Sequence, residues 1–331
     1  MMTEAPPTSR MPEPSLRAEW MRILRRQKYQ LIGSHSAVKK CRWLHESLIR
    51  NRVCYKQSFY GIKSHRCVQM TPSLACNMRC RFCWRVQPED IGIDQTIPQP
   101  RAWDDPDWIV DGCLSAQRRI LSGYKALAIS GRIDREKYSE ALEPRHAAIS
   151  LDGEPTLYPR LGALIEAFHK RGFTTFLVTN GTFPSAIAGL GTEPTQHYVS
   201  AYAPDEGGYM GICKPQSRGA WKGFLETLEL LHSLKCPTVL RMTLVKGLNM
   251  RDLEGWAELI KMASPTYVEA KAYMYVGYSR LRLSFENMPT FEEVKDFASR
   301  LAGMTSYRLI AESRDSRVVL LSELEKPIKI S

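Results

Sequence analysis

The sequence predicts an α/β protein built as a complete or partial (β/α) barrel. From residue 65 onward, short β-branched runs alternate with longer amphipathic stretches, which is the pattern of repeated βα units around a parallel sheet. At 331 residues the chain is long enough for one large domain of this kind, but not for several. A doubly wound sheet remains an alternative, because periodicity alone does not separate it from a barrel.

Short apolar runs predict about six strands, and amphipathic stretches predict five helices. The strands are expected at residues 68–70, 147–151, 174–178, 198–202, 239–245 and 268–274. The helices, in which apolar residues recur three or four positions apart, are expected at residues 106–121, 160–171, 220–234, 253–262 and 291–301. In such a fold, functional residues belong at the carboxyl ends of the strands.

Three segments are predicted along the chain. Residues 1–14 are rich in Pro, Thr and Glu without an apolar core, which indicates a disordered leader rather than a signal peptide. Residues 15–67 form a basic extension, and its first part, 15–31, has the spacing of a basic amphipathic helix. Residues 68–331 form the barrel domain, with a Pro- and Asp-rich loop predicted over 86–103.

The composition is that of an ordinary globular protein. Hydrophobic residues make up 44% and charged residues 24% of the chain, and no apolar run approaches the length of a membrane span. We therefore expect a cytoplasmic monomer without membrane association. The net charge of +11 favours a polyanionic partner, most naturally a nucleic acid, although a solvated basic surface is the simpler alternative.

The most informative motif is a short loop with three cysteines. Cys76, Cys80 and Cys83 form a C-x3-C-x2-C pattern after an apolar run. Three thiolates on one loop can bind three irons of a [4Fe-4S] cluster and leave the fourth open to a chelating ligand. The alternatives are a disulfide with a spare thiol, or a zinc knuckle, although no matching C-x2-C or H-x3-H follows downstream. The pattern resembles the cluster loop of the radical S-adenosylmethionine (SAM) superfamily, in which an aromatic residue such as Phe82 is also typical.

This resemblance implies a SAM site beside the cysteine loop. Gly153 and Glu154 follow a predicted strand and resemble the Gly-Gly-Glu motif of that superfamily, in which Glu154 would accept a hydrogen bond from the SAM ammonium. A plain strand-to-helix turn is the simpler interpretation. Thr179, Asn180 and Ser200 lie at or near the ends of the next two strands and suit the SAM ribose or carboxylate.

A second set of cysteines precedes the loop. Cys41, Cys54 and Cys67 are spaced 13 residues apart, which matches no obvious zinc pattern. Three packed thiols are one interpretation. The other is a second three-thiolate [4Fe-4S] cluster, again with one iron open to a ligand.

Both cysteine sets together resemble those of the archaeal tRNA 4-demethylwyosine synthases. The likeness spans roughly residues 28–322 and is carried by residues 54–56, 64–67, 70–73, 83–85, 149–159, 177–181, 244–250 and 269–274. It implies a carbon–carbon lyase that combines N1-methylguanosine, 3′ of the anticodon of tRNA(Phe), with two carbons of pyruvate. An N-methyl C–H is too weakly acidic for a side-chain base, so a radical derived from SAM is the plausible route.

The resemblance also implies an external electron donor. Eukaryotic relatives carry an N-terminal flavodoxin-like domain, for which this chain has no room. We therefore expect a separate flavodoxin- or ferredoxin-like protein to reduce the clusters.

Lys56 is the residue that we expect to act on pyruvate. A lysine whose pKa is lowered by burial and nearby cations can form a Schiff base with the keto carbon. Alternatively, pyruvate chelates the open iron of the second cluster, and Lys56 only pairs with its carboxylate. An ordinary surface lysine is the third interpretation.

Two other functions compete with this one. A two-cluster radical SAM enzyme for a peptide or metabolite is disfavoured, because its extra cysteines would be C-terminal rather than N-terminal. A non-enzymatic Fe-S or zinc RNA-binding protein would need neither the Gly-Glu-Pro turn nor a barrel. For RNA contact, Trp84, Trp43 or Tyr60 are candidates to stack on a splayed-out base.

Overall fold

The computed structural model describes residues 13–93, 100 and 102–330. Within these residues ten strands form one sheet in the spatial order β1-β2-β3-β4-β5-β6-β7-β8-β10-β9. The strands are β1 Gln30–Ile32, β2 Ser36–Val38, β3 Cys67–Thr71, β4 His146–Ile149, β5 Thr174–Thr179, β6 Gln196–Ala201, β7 Thr238–Leu244, β8 Tyr267–Ala272, β9 Arg308–Ser313 and β10 Val318–Ser322.

Strands β3 to β8 run parallel to their neighbours, and an antiparallel pair extends the sheet at each side. These six parallel strands are the six predicted ones, with ends that differ by at most two residues. Residues in or just after all six line one cavity, so the sheet is strongly curved. In the described part of the chain the sheet ends at β1 and β9 without closing, which favours the partial over the complete barrel.

Helices pack around this sheet. They are α1 Glu13–Arg26, α2 Arg42–Arg50, α3 Tyr55–Tyr60, α4 Pro106–Ser122, α5 Lys125–Ile129, α6 Arg135–Leu142, α7 Leu161–Lys170, α8 Pro184–Ala188, α9 Glu206–Cys213, α10 Ala220–Leu230, α11 Leu253–Ala263 and α12 Phe291–Ala302. The five predicted helices are α4, α7, α10, α11 and α12. The predicted end of α10 was too late, because the helix gives way to a 3-10 turn at Leu231–Ser233.

The N-terminal helix is shorter than predicted. It ends at Arg26, where Lys28 adopts a positive φ of 68° and the amide of Tyr29 donates to the carbonyl of Leu24. A left-handed residue of this kind ends a helix, and β1 begins at Gln30. The predicted leader falls almost entirely outside the described residues, as do residues 94–99 and 101 of the predicted loop.

Helix α3 closes the interior of the curved sheet at the amino-terminal side of the strands. Its aromatic side chains join one apolar cluster with strand residues; the members include Tyr55, Phe59, Tyr60, Phe176, Tyr198, Val239, Tyr267 and Val318. The helix thereby carries Lys56 into the interior. No helix among the described residues has both the length and the apolar character needed to span a membrane.

Candidate functional site

The cysteine loop and the carboxyl halves of the parallel strands enclose a cavity of about 620 Å³. This volume is in the range of sites that hold small organic ligands. The structure places eight predicted site residues on its wall, namely Cys76, Cys80, Cys83, Gly153, Glu154, Thr179, Asn180 and Ser200.

The three cysteines of the loop are free thiols, so the disulfide interpretation is wrong. Burial raises the pKa of Cys76 and Cys83, and a bound metal would reverse this by stabilising the thiolates. No group of three His, Cys, Asp or Glu side chains in the described residues is arranged around a single ion. In a cubane cluster each thiolate binds a different iron. The three loop thiols on this cavity wall are one fewer than the four ligands of a closed structural zinc site, and they match a cluster with one open iron.

Two arginines hold the loop in place. Arg282 pairs with both carboxylate oxygens of Asp90, at 2.7 and 2.6 Å, and also donates to the carbonyl of Cys83. Arg85 donates to the carbonyl of Ser150 at 2.7 Å. Sequence reasoning missed Arg282, because nothing local connects it to a loop some 200 residues earlier.

Gly153 is required by the close approach of two backbones. Its φ is +62°, and a Cβ atom there would lie 2.1 Å from the carbonyl oxygen of Ser73 and 2.5 Å from that of Ala75. The next amide, of Glu154, donates to the carbonyl of Ala75 at 2.7 Å. Only glycine allows this contact, so Gly153 joins the turn after β4 to the start of the cysteine loop.

Glu154 is a buried carboxylate that neighbouring donors orient. Its Oε1 accepts hydrogen bonds from the Thr179 hydroxyl at 2.6 Å and from the amide and hydroxyl of Thr156 at 3.1 and 2.7 Å. Its Oε2 accepts one, from the Asn180 amide at 2.8 Å, and keeps capacity for another donor. Burial raises the pKa of Glu154 despite these donors.

Thr179 and Asn180 are thus engaged with protein atoms in this structure. The Thr179 hydroxyl is given to Glu154, and the Asn180 side chain donates to Asn77 at 2.8 Å. Their predicted contact with SAM remains a prediction. Ser200 lines the cavity, where its hydroxyl lies beside that of Tyr202.

The second cysteine set lies where α2, α3 and β3 begin, away from the cysteine loop. Cys41 and Cys54 immediately precede α2 and α3, and Cys67 begins β3. Burial raises the pKa of Cys41 to about 11, with Cys54 adding to the effect. Burial likewise raises the pKa of Cys67, as do the charges of Cys41 and Cys54. The structure therefore brings the three thiols near one another, outside the wall of the 620 Å³ cavity.

Lys56 lies between the second cysteine set and the strands. Its amine lies over the rings of Tyr198 and Phe176, 3.8 and 4.2 Å from their centroids, and has no hydrogen-bond partner among the described residues. Burial lowers its pKa to about 8; Glu269 opposes this and Arg241 adds to it. The surface-lysine interpretation is wrong, because the nitrogen is buried.

Charged residues inside strands β7 and β8 complete the interior, and sequence reasoning gave them no role. Glu269 is fully buried and accepts from the hydroxyls of Tyr55 and Tyr60, both at 3.0 Å. Arg241 and Lys271 both line the cavity. The signal in the sequence that could have identified them is the presence of charged residues within otherwise apolar strands.

Two of the three proposed stacking residues remain in a suitable position. Trp43 and Trp84 line the cavity and each lies close to an arginine guanidinium. Tyr60 was a wrong candidate for base stacking, because it is fully buried and its hydroxyl is bonded to Glu269.

Two family models match the chain. The model described as "Radical SAM superfamily" matches residues 132–260, and the one described as "Wyosine base formation" matches residues 262–323. With the curved parallel sheet and the cysteine loop at its carboxyl edge, this defines a radical SAM enzyme, a class that uses SAM and a [4Fe-4S] cluster.

Curated relatives narrow the class to one family. The tRNA 4-demethylwyosine synthase of Pyrococcus abyssi is 49% identical over 93% of this chain and 90% of its own length, and that of Methanocaldococcus jannaschii is 44% identical over 94% and 97%. A solved structure described as TYW1 with a lysine-pyruvate adduct bound is 40% identical, with a TM-score of 0.83 over 97% of this chain and 99% of that one. The chain belongs to the tRNA 4-demethylwyosine synthase family and is a radical SAM enzyme of wyosine biosynthesis.

Proposed function

We propose that this chain converts N1-methylguanosine beside the anticodon of tRNA(Phe) into 4-demethylwyosine with two carbons of pyruvate. The observation that carries the proposal is the amine of Lys56, which is buried inside the barrel without a hydrogen-bond partner among the described residues. A buried polar group without a partner is costly, so such a group is a candidate for a functional role. In a similar protein, a lysine-pyruvate adduct has been described.

Lys56 would act as the nucleophile toward pyruvate. With its pKa lowered to about 8 by burial, a substantial fraction of the amine is neutral near physiological pH. The neutral nitrogen attacks the keto carbon, and loss of water gives a Schiff base that fixes the three-carbon unit. The lysine-pyruvate adduct described in a similar protein supports this role better than pairing with a carboxylate that chelates the second cluster.

Both cysteine sets would hold iron–sulfur clusters. Cys76, Cys80 and Cys83 would ligate the first, and the second set, Cys41, Cys54 and Cys67 in the 15–67 extension, would ligate the other. When bound, the first cluster supplies one electron to SAM and so gives the 5′-deoxyadenosyl radical that takes the methyl hydrogen.

The remaining wall residues would position SAM. The free capacity of Glu154 Oε2 suits the SAM ammonium, while Gly153 keeps the turn close enough to the cysteine loop for SAM to contact both. Ser200 would contact a ribose hydroxyl or the carboxylate, together with Thr179 and Asn180.

The tRNA would reach the cavity from its open side. The target base has to leave the anticodon stack, and Trp43 and Trp84, each beside an arginine, offer surfaces on which it can stack. We propose that the protein acts in the cytoplasm as a monomer and takes electrons from a flavodoxin- or ferredoxin-like donor.

The test is an anaerobic reaction of the reconstituted protein with SAM, dithionite, pyruvate and tRNA that carries N1-methylguanosine. Mass spectrometry of the digested tRNA is expected to find a nucleoside enlarged by two carbons. Formation of 5′-deoxyadenosine with unchanged tRNA would instead point to another substrate, and the absence of both would favour a non-enzymatic Fe-S protein.

A further inference from the structure

Among the described residues, the guanidinium of Arg241 on the cavity wall has no hydrogen-bond acceptor. The only polar contact of Arg241 among the described residues joins its Nε to Oε2 of Glu269 at 3.9 Å, which is beyond hydrogen-bond distance. The two terminal nitrogens of the guanidinium therefore have no protein acceptor in this part of the chain. A planar guanidinium in this state matches the two oxygens of a carboxylate.

The nearby carboxylates are already engaged. Glu269 accepts from two tyrosine hydroxyls at 3.0 Å. Asp315, the other acid on that side of the cavity, pairs with Arg52 at 2.9 Å. Lys271, two residues after Glu269 on β8, lies on the same wall, but burial lowers its pKa to about 7 and its amine donates to the carbonyl of Ser316. Arg241 therefore keeps its charge near neutral pH where Lys271 partly loses it, and an anionic ligand would pair with Arg241.

Strand register places Arg241 between Lys56 and the cavity. The Lys56 amine lies over the ring of Tyr198 on β6. Two residues further along β6, Ser200 is in register with Arg241 on β7, and both line the cavity. Because side chains on one face of a strand recur every two residues, Arg241 lies one layer nearer the carboxyl ends than the lysine amine. The charge of Arg241 also acts on the Lys56 amine, so a group attached to that amine would lie near the guanidinium.

We propose that Arg241 binds the carboxylate of a small 2-keto acid whose keto carbon is joined to Lys56. The inference rests on the proposed function, which supplies the adduct, and adds the residue that selects its substrate class. Arg241 makes the site prefer a 2-keto acid over a neutral ketone of similar size.

Reductive trapping measures this preference. The anaerobically reconstituted protein is incubated with pyruvate or with hydroxyacetone, a neutral ketone, in the presence of cyanoborohydride. The imine carbon gains hydride from the reagent and its nitrogen gains a proton, which leaves a stable secondary amine on Lys56 that peptide mass spectrometry quantifies. The ratio of the two adducts on the same preparation cancels any loss of folded protein.

Arg241→Gln is expected to lower the pyruvate-to-hydroxyacetone ratio by about tenfold to a hundredfold, the range expected for losing hydrogen bonds to a charged group. Arg241→Lys keeps the positive charge but not the paired N–H donors of the guanidinium. Its pyruvate-to-hydroxyacetone ratio should lie between those of Arg241→Gln and the wild-type protein. The matched control is Arg118→Gln, which removes the same charge from the exposed face of α4.

The outcomes separate the two levels of the proposal. An unchanged ratio of pyruvate to hydroxyacetone adducts in Arg241→Gln overturns the carboxylate role. If both adducts fall by the same factor, the ratio is again unchanged and Arg241 only positions Lys56. A weaker affinity for SAM with an unchanged ratio assigns Arg241 to the SAM carboxylate instead and also overturns it. If the wild-type protein traps neither ketone at Lys56, the proposed function itself has failed at the adduct.

Discussion

The two cysteine sets differ in how the chain assembles them. Cys76, Cys80 and Cys83 lie within eight residues of one loop and all face one wide cavity. Cys41 and Cys54 precede two different helices, Cys67 begins a strand, and Cys41 packs against an apolar cluster that includes Leu44, Leu121 and Tyr124. The first arrangement is local, whereas the second exists only once helices and sheet have packed.

This difference indicates that the two cysteine sets serve different steps of the reaction. An open cavity beside the first set has room for SAM, with Glu154 on its wall. The second set lies next to a buried lysine and a fixed group of charges, which suits a small ligand held in one orientation. Changes at the first set should therefore stop all chemistry, while changes at the second should leave radical formation intact.

The largest contrast is expected between Cys76→Ala and Cys54→Ala. The first would remove a proposed ligand of the cluster that reduces SAM, so 5′-deoxyadenosine should fall to background. The second should abolish the modified nucleoside while 5′-deoxyadenosine still forms. Chromatography of 5′-deoxyadenosine and mass spectrometry of the tRNA digest measure both.

Iron analysis sharpens this contrast. Each variant should lose about half of the bound iron if, as proposed, each set holds one of two clusters. Cys236→Ala, at a partly buried thiol outside both sets, is the control and should lose none. If Cys54→Ala keeps all of its iron, the second set binds no cluster and the comparison between the two sites fails.

Lys56→Met is expected to stop product formation without affecting iron binding or the cleavage of SAM. The product should fall at least about a thousandfold, as for loss of a nucleophile, while iron content and 5′-deoxyadenosine formation persist. Stability should hold or rise by about 1 kcal/mol or more, because an unpartnered buried amine is replaced by an apolar chain of similar length. Trapping with cyanoborohydride and a thermal melt give the two readouts. A Met variant that still forms product would favour chelation of pyruvate by the second cluster.

Sequence reasoning reached the six parallel strands because each is a short apolar run between amphipathic helices. It also grouped the loop cysteines correctly with Glu154 and Ser200, since the carboxyl ends of parallel strands share one edge. It failed where partners are distant in the chain. The ties of Arg282 to Asp90 and the cysteine loop, and the bonds of Glu269 to two tyrosines of α3, depend on packing that no local pattern encodes.

Gly153→Ala should damage the first site and spare the second. The added Cβ would lie 2.1 Å from a backbone oxygen at a φ of +62°, so we expect a loss of about 2–5 kcal/mol of stability from strain and clash together. The lowered melting temperature should come with loss of the iron of the first cluster only.

Gly191→Ala provides the matched control for this change. That glycine also has a positive φ, of +68°, but nothing lies within 4 Å of the new Cβ. It should therefore lose only about 1–2 kcal/mol, and no iron. Equal losses in the two variants would show that backbone conformation alone, and not contact with the cysteine loop, makes Gly153 necessary.

The smallest expected effect is that of Thr179→Val, which decides how Thr179 serves the first site. Its hydroxyl donates to Glu154 at 2.6 Å and accepts from the amide of Gly181 at 3.0 Å, and loss of the bond to Glu154 should weaken SAM binding by about three- to tenfold. Equilibrium dialysis measures this, with Thr305→Val as a control at a hydroxyl that likewise accepts from the amide two residues later, of Tyr307, and donates to the carbonyl of Leu301. Thr179→Ser should restore the affinity. Combination with Glu154→Gln distinguishes orientation from direct contact: if Thr179 acts only through Glu154, its substitution has no further effect in that background, whereas an additive loss means that the hydroxyl also touches SAM.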